Sequence, residues 1–280
     1  MRYDLHVHST YSDGIKTPEQ LAQEAVAAGL GGFALTDHDT IDGWKAIPFL
    51  ERKYPIVIFP GVELSTEWEG RDVHILGYAI KETEPFRQAL HTLADARRQR
   101  IARIIESLAA LGLFIDPALV EEIAGEGTVG RPHVAEAMVR LGYVKDKQRA
   151  FDRYLNRGKP AYVERMRFTP MEAVTLIRKC GGHAVLAHPG LDHAIDAMGL
   201  LREYGLEGLE VYHSSHTVAD SAKFSLIARE HGLAETAGSD YHGHSKNHHG
   251  LIGSVAVEEE RLPVFLTEYL KEHLEYVERI

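Results

Sequence analysis

A chain of 280 residues with 44% hydrophobic and 26% charged side chains has enough apolar material for one large domain, or a large one with a small companion. No apolar run reaches the ~20 residues of a membrane span, and Met1 leads straight into a strand pattern without a basic-then-apolar leader, so a soluble, cytoplasmic protein is expected. The single cysteine, Cys180, excludes an internal disulfide, and 17 histidines beside a net charge of −10 point to metal held by imidazole and carboxylate rather than thiolate. The same acidic balance argues against duplex DNA as a partner, because duplex binding draws on broad basic surfaces.

Tyr3, Leu5 and Val7 alternate with Asp4, His6 and His8, the period of a strand, and this puts His6 and His8 on one side. The strand stops in a polar turn, Ser9-Thr-Tyr-Ser12-Asp13-Gly14, which adds a third candidate ligand. Thr17-Pro18-Glu19 then opens a helix with a capping residue and proline at its first position. Gly32 to Thr36 reads as a second strand, ending in Asp37-His38-Asp39. A third, Pro55 to Phe59, runs into Gly61-Val-Glu63, and a turn at Glu67–Gly70 joins it as a hairpin to a fourth, Val73 to Tyr78, carrying His74.

From Glu84 to Phe168 the strand signal disappears: Leu90 to Leu111 has helical spacing, with shorter helices near 117–124, 132–141 and 147–156. Alternation resumes with a helix from Thr169 to Cys180, read here as a structural cysteine at a helix end. Next come the strand His183–Ala187 leading into His188-Pro, the strand Gly208–Tyr212, the strand Leu233–Ala237 leading into Ser239-Asp240-Tyr-His242, a last strand near Leu251–Val257 and an amphipathic C-terminal helix.

Repeated strand–helix units predict an α/β fold, a distorted barrel of seven strands, (β/α)7, with an all-helical insertion domain. Residues 1–83 and 168–280 form the barrel in this reading, and 84–167 the insertion. In a parallel barrel the C-terminal strand ends share one face, so His6, His8, Asp13, His38, Glu63, His74, His188, Asp240 and His242 are expected to converge there. Nine such ligands exceed the needs of one ion and suit two or three divalent cations. Imidazole and carboxylate together accommodate Mn2+, Zn2+ or Fe2+.

The motifs His6-x-His8-Ser-x-x-Ser-Asp-Gly, Thr36-Asp-His38-Asp, Gly61-x-Glu63, Ala187-His188-Pro and Ser239-Asp240-x-His242 resemble those of the PHP (polymerase and histidinol phosphatase) family of phosphoesterases, and occur in the family's order. The resemblance implies a seven-stranded distorted barrel and a three-metal site. It assigns one ion to His6, His8, Glu63 and Asp240, the four residues that would act in catalysis through bound metal. A second ion falls to Glu63 as bridge with His74 and His188, and a third to Asp13, His38 and His242. Many family members carry histidine in place of Asp13, which makes the third position harder and more manganese-like, and Mn2+ is the foremost expectation. The chemistry implied is in-line attack by a metal-bridging hydroxide on a phosphomonoester.

The insertion differs from the rest in charge: the stretch from Arg97 to Arg167 carries +5, leaving −15 elsewhere. Arg149, Arg153 and Arg157 recur at i, i+4 and i+8, a stripe on one predicted helix face. Gly130-Arg131-Pro-His133 and Arg157-Gly-Lys159-Pro place basic residues in turns suited to gripping a second phosphate. These two stretches resemble the subgroup acting on 3′,5′-nucleoside bisphosphates and on the 5′ ends of short RNA. The substrate implied is adenosine 3′,5′-bisphosphate or a similar nucleotide, losing its 3′-phosphate to give AMP, with Arg131, His133 and Lys159 holding the other phosphate. Ser9, Ser12 and the strand end Tyr212-His213-Ser-Ser-His216 are further candidate contacts, Ser12 and His216 among them. The alternative is a 5′→3′ exoribonuclease on short 5′-phosphorylated RNA; a histidinol phosphatase and a non-enzymatic metal-binding module rank lower. Oligomeric state is left open. Gly125-x-Gly127-x-x-Gly130 matches a dinucleotide-binding string but follows a helical run rather than a strand, and is set aside. His244 to His249 read as a mobile loop on the substrate side.

Overall fold

The computed structural model describes residues 1–125, 127–166, 168–243 and 251–277, with side chains to residue 273; the expected 244–249 loop lies outside them. The strands are β1 (Arg2–Val7), β2 (Gly32–Leu35), β3 (Val57–Trp68), β4 (Arg71–Tyr78), β5 (His183–Leu186), β6 (Gly208–His213), β7 (Ala234–Gly238) and β8 (Val257–Glu258). They form one sheet in the order β7-β6-β5-β4-β3-β2-β1-β8. A parallel bridge from Val7 to Tyr241 and a hydrogen bond from His8 N–H to Tyr241 O bring the end of β7 back to β1, so the sheet curls into a nearly closed barrel.

Two expectations change. Among the described residues there are eight strands, not seven, because a two-residue β8 pairs antiparallel with the start of β1; it begins where the last strand was expected to end. The barrel is also not all parallel. β4 runs antiparallel to both neighbours, because the turn at Glu69-Gly70, with both residues at positive φ, folds β3 directly back on itself. His74 therefore reaches the candidate ligand face from the first half of its strand; His6 and Glu63 lie within β1 and β3, and the other six candidates follow strand ends.

The helices are α1 (Pro18–Ala27), α2 (Ile47–Lys53), α3 (Glu84–Ala110), α4 (Pro117–Ala124), α5 (Arg131–Arg140), α6 (Lys147–Ala150), α7 (Pro170–Lys179), α8 (Met198–Glu203), α9 (Val218–Glu230) and α10 (Val264–Val277). Capping boxes at Thr17 and Thr169 open α1 and α7, each with proline at the first helical position. Buried Cys180 closes α7, as its sequence context suggests. Inside the barrel Tyr3, Leu5, Ala34, Phe59, Leu76, Tyr78 and Val185 form an apolar cluster, and Leu266 and Leu270 of α10 close it at the end where the parallel strands begin. The opposite end carries the polar groups.

Among the described residues the chain between β4 and β5 contains helices and no strand. α3 spans two cores: Phe86, Leu90 and Leu93 pack on the barrel cluster, while Ile101, Ile104, Ile105 and Leu108 pack with Val120, Val134, Met138 and Leu155. The stripe of Arg149, Arg153 and Arg157 does not form. α6 ends at Ala150 and widens into a π turn over Phe151–Leu155, so Arg157 leaves the helix and bonds Gly70 O at the β3–β4 turn. Gly125 ends α4 at φ +59, and Gly127 sits against the ligand turn, where a Cβ would lie 2.6 Å from Ser12 O. The Gly-x-Gly string is thus a packing device.

Gly238, at the end of β7, has no room for a side chain: a Cβ would lie 2.2 Å from the His6 Cβ and 2.8 Å from Glu210 Oε1. Gly238→Ala is expected to cost roughly 1–3 kcal/mol through overpacking, seen as a lower melting temperature. An unchanged melt would mean that β1 and β7 are not locked together here.

Candidate metal centre

Burial decides what this cluster can be. His6, His8 and Glu63 are almost wholly removed from solvent, and a carboxylate so placed needs positive or hydrogen-bonded partners. Glu63 Oε2 lies 3.2 Å from His6 Nε2, 3.2 Å from His8 Nε2 and 3.1 Å from His38 Nδ1. Its Oε1 lies 2.8 Å from His74 Nδ1 and 3.1 Å from His188 Nε2. Asp240 Oδ1 approaches His6 Nε2 at 3.4 Å and His8 Nε2 at 3.1 Å, and His242 Nε2 lies 3.1 Å from Asp13 Oδ1. All nine residues singled out as ligands come together.

The donor set fits divalent ions. His6 Nε2, His8 Nε2, Asp13 Oδ1, Glu63 Oε2, His74 Nε2 and His188 Nδ1 are buried without a hydrogen-bond partner, although several stand little more than 3 Å apart. His6 Nε2, His8 Nε2 and Glu63 Oε2, close together yet failing hydrogen-bond geometry, are aimed at a common point, and donors about 2.1 Å from one ion lie at about this mutual spacing. His6, His8, Glu63 and Asp240 make one such group. His8, Asp13, His38 and His242 make another, and His38, Glu63 and His74 a third.

Protons stand in for cations in the electrostatics. Burial resists charge on His8, but the Asp240 and Glu63 carboxylates outweigh it and push the ring up to about 10. Burial likewise works against ionised Glu63, yet His38, His6 and His74 hold it well below the usual carboxylate range. His38 goes the other way, to about 3, because burial dominates. With His8 raised, the metal-free ring carries a proton at neutral pH that an incoming ion displaces. Ion binding is therefore expected to release protons and to weaken as pH falls; calorimetry in buffers of different ionisation enthalpy reads this, and a buffer-independent heat contradicts it.

A layer of acids behind the ligands escaped the sequence reading. Glu210 of β6, fully buried, accepts from His6 Nδ1 at 3.0 Å and from the His188 backbone N–H at 2.7 Å, the latter at a residue with φ of 24°. Asp4 accepts from Ser239 N–H, Ser239 Oγ and Gly253 N–H, fixing the residue before Asp240. Asp37 accepts from Ser9 N–H, Ser9 Oγ and Ser12 Oγ at 2.6–2.7 Å. Ser9 and Ser12, expected against substrate, are thus buried and spend their hydroxyl protons on Asp37. The signal available in sequence was a carboxylate between strand apolars, as in Gly208-Leu-Glu-Val-Tyr: a buried charge requires a partner.

Beside the ligands lies a cavity of about 180 Å3. Asp13, His38 and His74 line one side, and Arg97, Arg100, Arg131 and Arg165 the other. Arg131 and Arg165 share Asp72 at 3.0 and 3.6 Å, and they hold its carboxyl well below the usual range despite burial. Burial and the neighbouring Arg131 and Arg165 pull Arg100 down to about 9, and Arg165 Nη1 is buried with no hydrogen-bond partner. Of the expected substrate contacts only Arg131 lines this cavity. His133 is buried and its Nδ1 accepts from Gly130 N–H at the start of α5, Lys159 is exposed, and His216 bonds Val211 O and Gly190 N–H beside Phe224.

An α/β barrel with histidine and carboxylate side chains gathered at one end defines a class of metal-dependent hydrolase, and comparison with known proteins narrows it. The PHP-domain model matches residues 4–140. The chain is 36% identical over 247 residues to a 3′,5′-nucleoside bisphosphate phosphatase of Chromobacterium violaceum, covering 85% of this chain and 86% of that one. It is 34% identical over 250 residues to a 5′-3′ exoribonuclease of Haemophilus influenzae, covering 86% and 90%. Among solved structures, a Bifidobacterium adolescentis protein assigned as a metal-dependent phosphoesterase superposes with a TM-score of 0.85 at 28% identity, covering 92% and 93%. A Chromobacterium violaceum amidohydrolase with bound sulfate and no metal gives 0.83 at 32% identity, covering 94% and 93%. The chain belongs to the PHP family of phosphoesterases, and is an enzyme. No described helix is long and apolar enough to cross a membrane.

Glu210→Gln leaves one acceptor oxygen for two donors, His6 Nδ1–H and the His188 N–H, and removes the negative charge behind the ring, so it should weaken ion binding about 10–100-fold. Titration of chelator-stripped protein with Mn2+ measures this, and a wild-type isotherm would show that His6 is oriented by other means.

Proposed function

We propose that this protein is a metal-dependent phosphatase that removes the 3′-phosphate of nucleoside 3′,5′-bisphosphates, adenosine 3′,5′-bisphosphate among them. The observation that carries the reading is the arginine-lined cavity against the ligand cluster. Four arginines line a space whose two lining carboxylates are already engaged, Asp72 by Arg131 and Arg165 and Asp13 by His242. Such crowding of like charge is relieved by an anion, and guanidinium is suited to bidentate phosphate contact. One phosphate at the ligands and a second among the arginines suits a bisphosphate better than a mononucleotide. The name of the bisphosphatase relative agrees with this choice.

In this reading His6, His8, Glu63 and Asp240 hold one divalent ion. Glu63, His74 and His188 hold a second, and Asp13, His38 and His242 a third, with Mn2+ the first candidate. The ions, when bound, supply charge neutralisation of the phosphate and activation of water. The chain's part is orientation: Glu210 sets His6, Asp4 sets the segment bearing Asp240, and Asp37 braces the turn that carries Asp13. Helices α3 to α6, residues 84–167, serve as a substrate-side lid, with Arg97 bonded both to Asp39 and to Ser65 at its seam with the barrel.

A second reading, 5′→3′ hydrolysis of short RNA, draws on a further groove of about 390 Å3 lined by Lys45, Arg87, His91 and Arg98 together with Asp39, Asp42 and Glu82, which shares Val129 with the arginine cavity. It offers room for a chain longer than one nucleotide.

Phosphate release from adenosine 3′,5′-bisphosphate, AMP and a 5′-phosphorylated dinucleotide, with Mn2+ restored after chelation, separates these readings. The bisphosphate should be the best substrate, and Arg131→Ala should raise its KM about 10–100-fold, as expected for a charged hydrogen bond of roughly 1.5–3 kcal/mol, while leaving p-nitrophenyl phosphate unaffected. Equal turnover of AMP would sink the second-phosphate pocket. His8→Ala and Asp240→Ala should lose bound metal and turnover together; retained activity would refute the ligand assignment.

A further inference from the structure

What a histidine's outer ring nitrogen meets decides what its inner nitrogen can do. His6 Nδ1 faces the Glu210 carboxylate at 3.0 Å, and His242 Nδ1 faces the Asp240 carbonyl at 2.8 Å. Both are acceptors, so the proton sits on Nδ1 and Nε2 keeps the lone pair that a metal requires. His213, at the end of β6, is built the other way round. Its Nδ1 receives the backbone N–H of Ser215 at 3.1 Å, with Ser215 Oγ at 2.7 Å. A backbone amide can only donate; Nδ1 therefore holds a lone pair and the ring proton sits on Nε2.

That Nε2 is buried, has no hydrogen-bond partner and lies 3.5 Å from Asp240 Oδ2. The ring centroid is 6.1 Å from that of His6 and 5.4 Å from that of His188, so the group faces the same enclosure as two ligand rings. Spacing alone would group His213 with His6 and Glu210 as ligands of a further ion. Its tautomer opposes this, because a protonated ring nitrogen has no lone pair to offer.

We propose that His213 is a catalytic hydrogen-bond donor and not a metal ligand: its Nε2–H is held for an oxygen of the phosphate that the surrounding ligand residues receive. The inference rests on the phosphatase reading above for the identity of that oxygen. An N–H fixed in a water-excluded site stabilises charge growing on phosphate oxygen without reorganising, and removing one such donor typically costs 10²–10³ in kcat.

Two independent measurements test it. Nitrogen-15 correlation spectra of the imidazoles in wild-type protein reconstituted with Zn2+ should show His213 protonated on Nε2 and bare on Nδ1, opposite to His6 and His242. Metal content per chain, by elemental analysis, should be unchanged in His213→Ala and His213→Gln. With adenosine 3′,5′-bisphosphate, His213→Ala should lose about 10²–10³ in kcat, with KM within a few-fold. His213→Gln, whose amide still donates, should recover part of the loss. A missing ion in either variant, an Nδ1-protonated His213, or full kcat in His213→Ala overturns the proposal. If wild-type protein hydrolysed p-nitrophenyl phosphate but no nucleotide, the substrate reading would fail while the spectra, the metal content and kcat on that ester still decided the role of His213.

Discussion

One carboxylate, Glu63, holds the centre of this molecule. Five imidazoles, those of His6, His8, His38, His74 and His188, come within 3.2 Å of its two oxygens. Burying an isolated carboxylate costs far more than a single side-chain contact returns, so the five rings and any ion among them are a condition of Glu63 being there at all. The fold is arranged to meet it. β1 and the residue just after it deliver two rings, the segment after β2 a third, the segment after β5 a fourth, and the reversed β4 brings His74 back across from Ser65 on Glu63's own strand.

The candidate ligands are held in turn by carboxylates outside the set of nine. Glu210 joins β1 to the segment after β5, Asp4 joins β1 to the segment after β7, and Asp37 joins the end of β2 to the turn after β1. Each spans two elements distant in sequence, so the hydrogen bonds that orient the candidate ligands also tie separate strands of the barrel together. Strained backbone follows them: His188 and Asp240 both have positive φ, and each has its segment tied down by one of these acids.

Much of this was legible in the chain because strand period and ligand position reinforce each other. His6 and His8 share a strand face, and Glu63, His188, Asp240 and His242 all follow strand patterns at turn residues, so their convergence follows from a barrel. What stayed hidden was relational. The reversal of β4 was implied by its own hairpin turn but gave way to the all-parallel pattern. β8 is two residues long, too short for any periodicity. The arginine stripe assumed a regular helix, and the π turn at Phe151–Leu155 broke its phase. Ser9, Ser12 and His133 looked like free polar groups because Asp37 and Gly130 N–H, which claim them, are partners that only the folded chain supplies. Arg97, Arg100 and Arg165 went unremarked for the same reason: their meeting with Arg131 is a tertiary fact.

α3 has a further consequence. It is a single unbroken rod of about 40 Å at 1.5 Å per residue, fastened to the barrel by Phe86, Leu90 and Leu93 and to the second helical core by Ile101 to Leu108. Arg97 and Arg100 lie between the two fastenings, so their distance from the ligand face is a matter of helical phase. Adding or removing one residue between Leu93 and Arg97 would turn both guanidinium groups by about 100° and shift them by 1.5 Å, moving them off the cavity with no change in composition. The rod acts as a gauge, and divergence in the helices beyond it is free to proceed only while the count of residues along its first half stays the same.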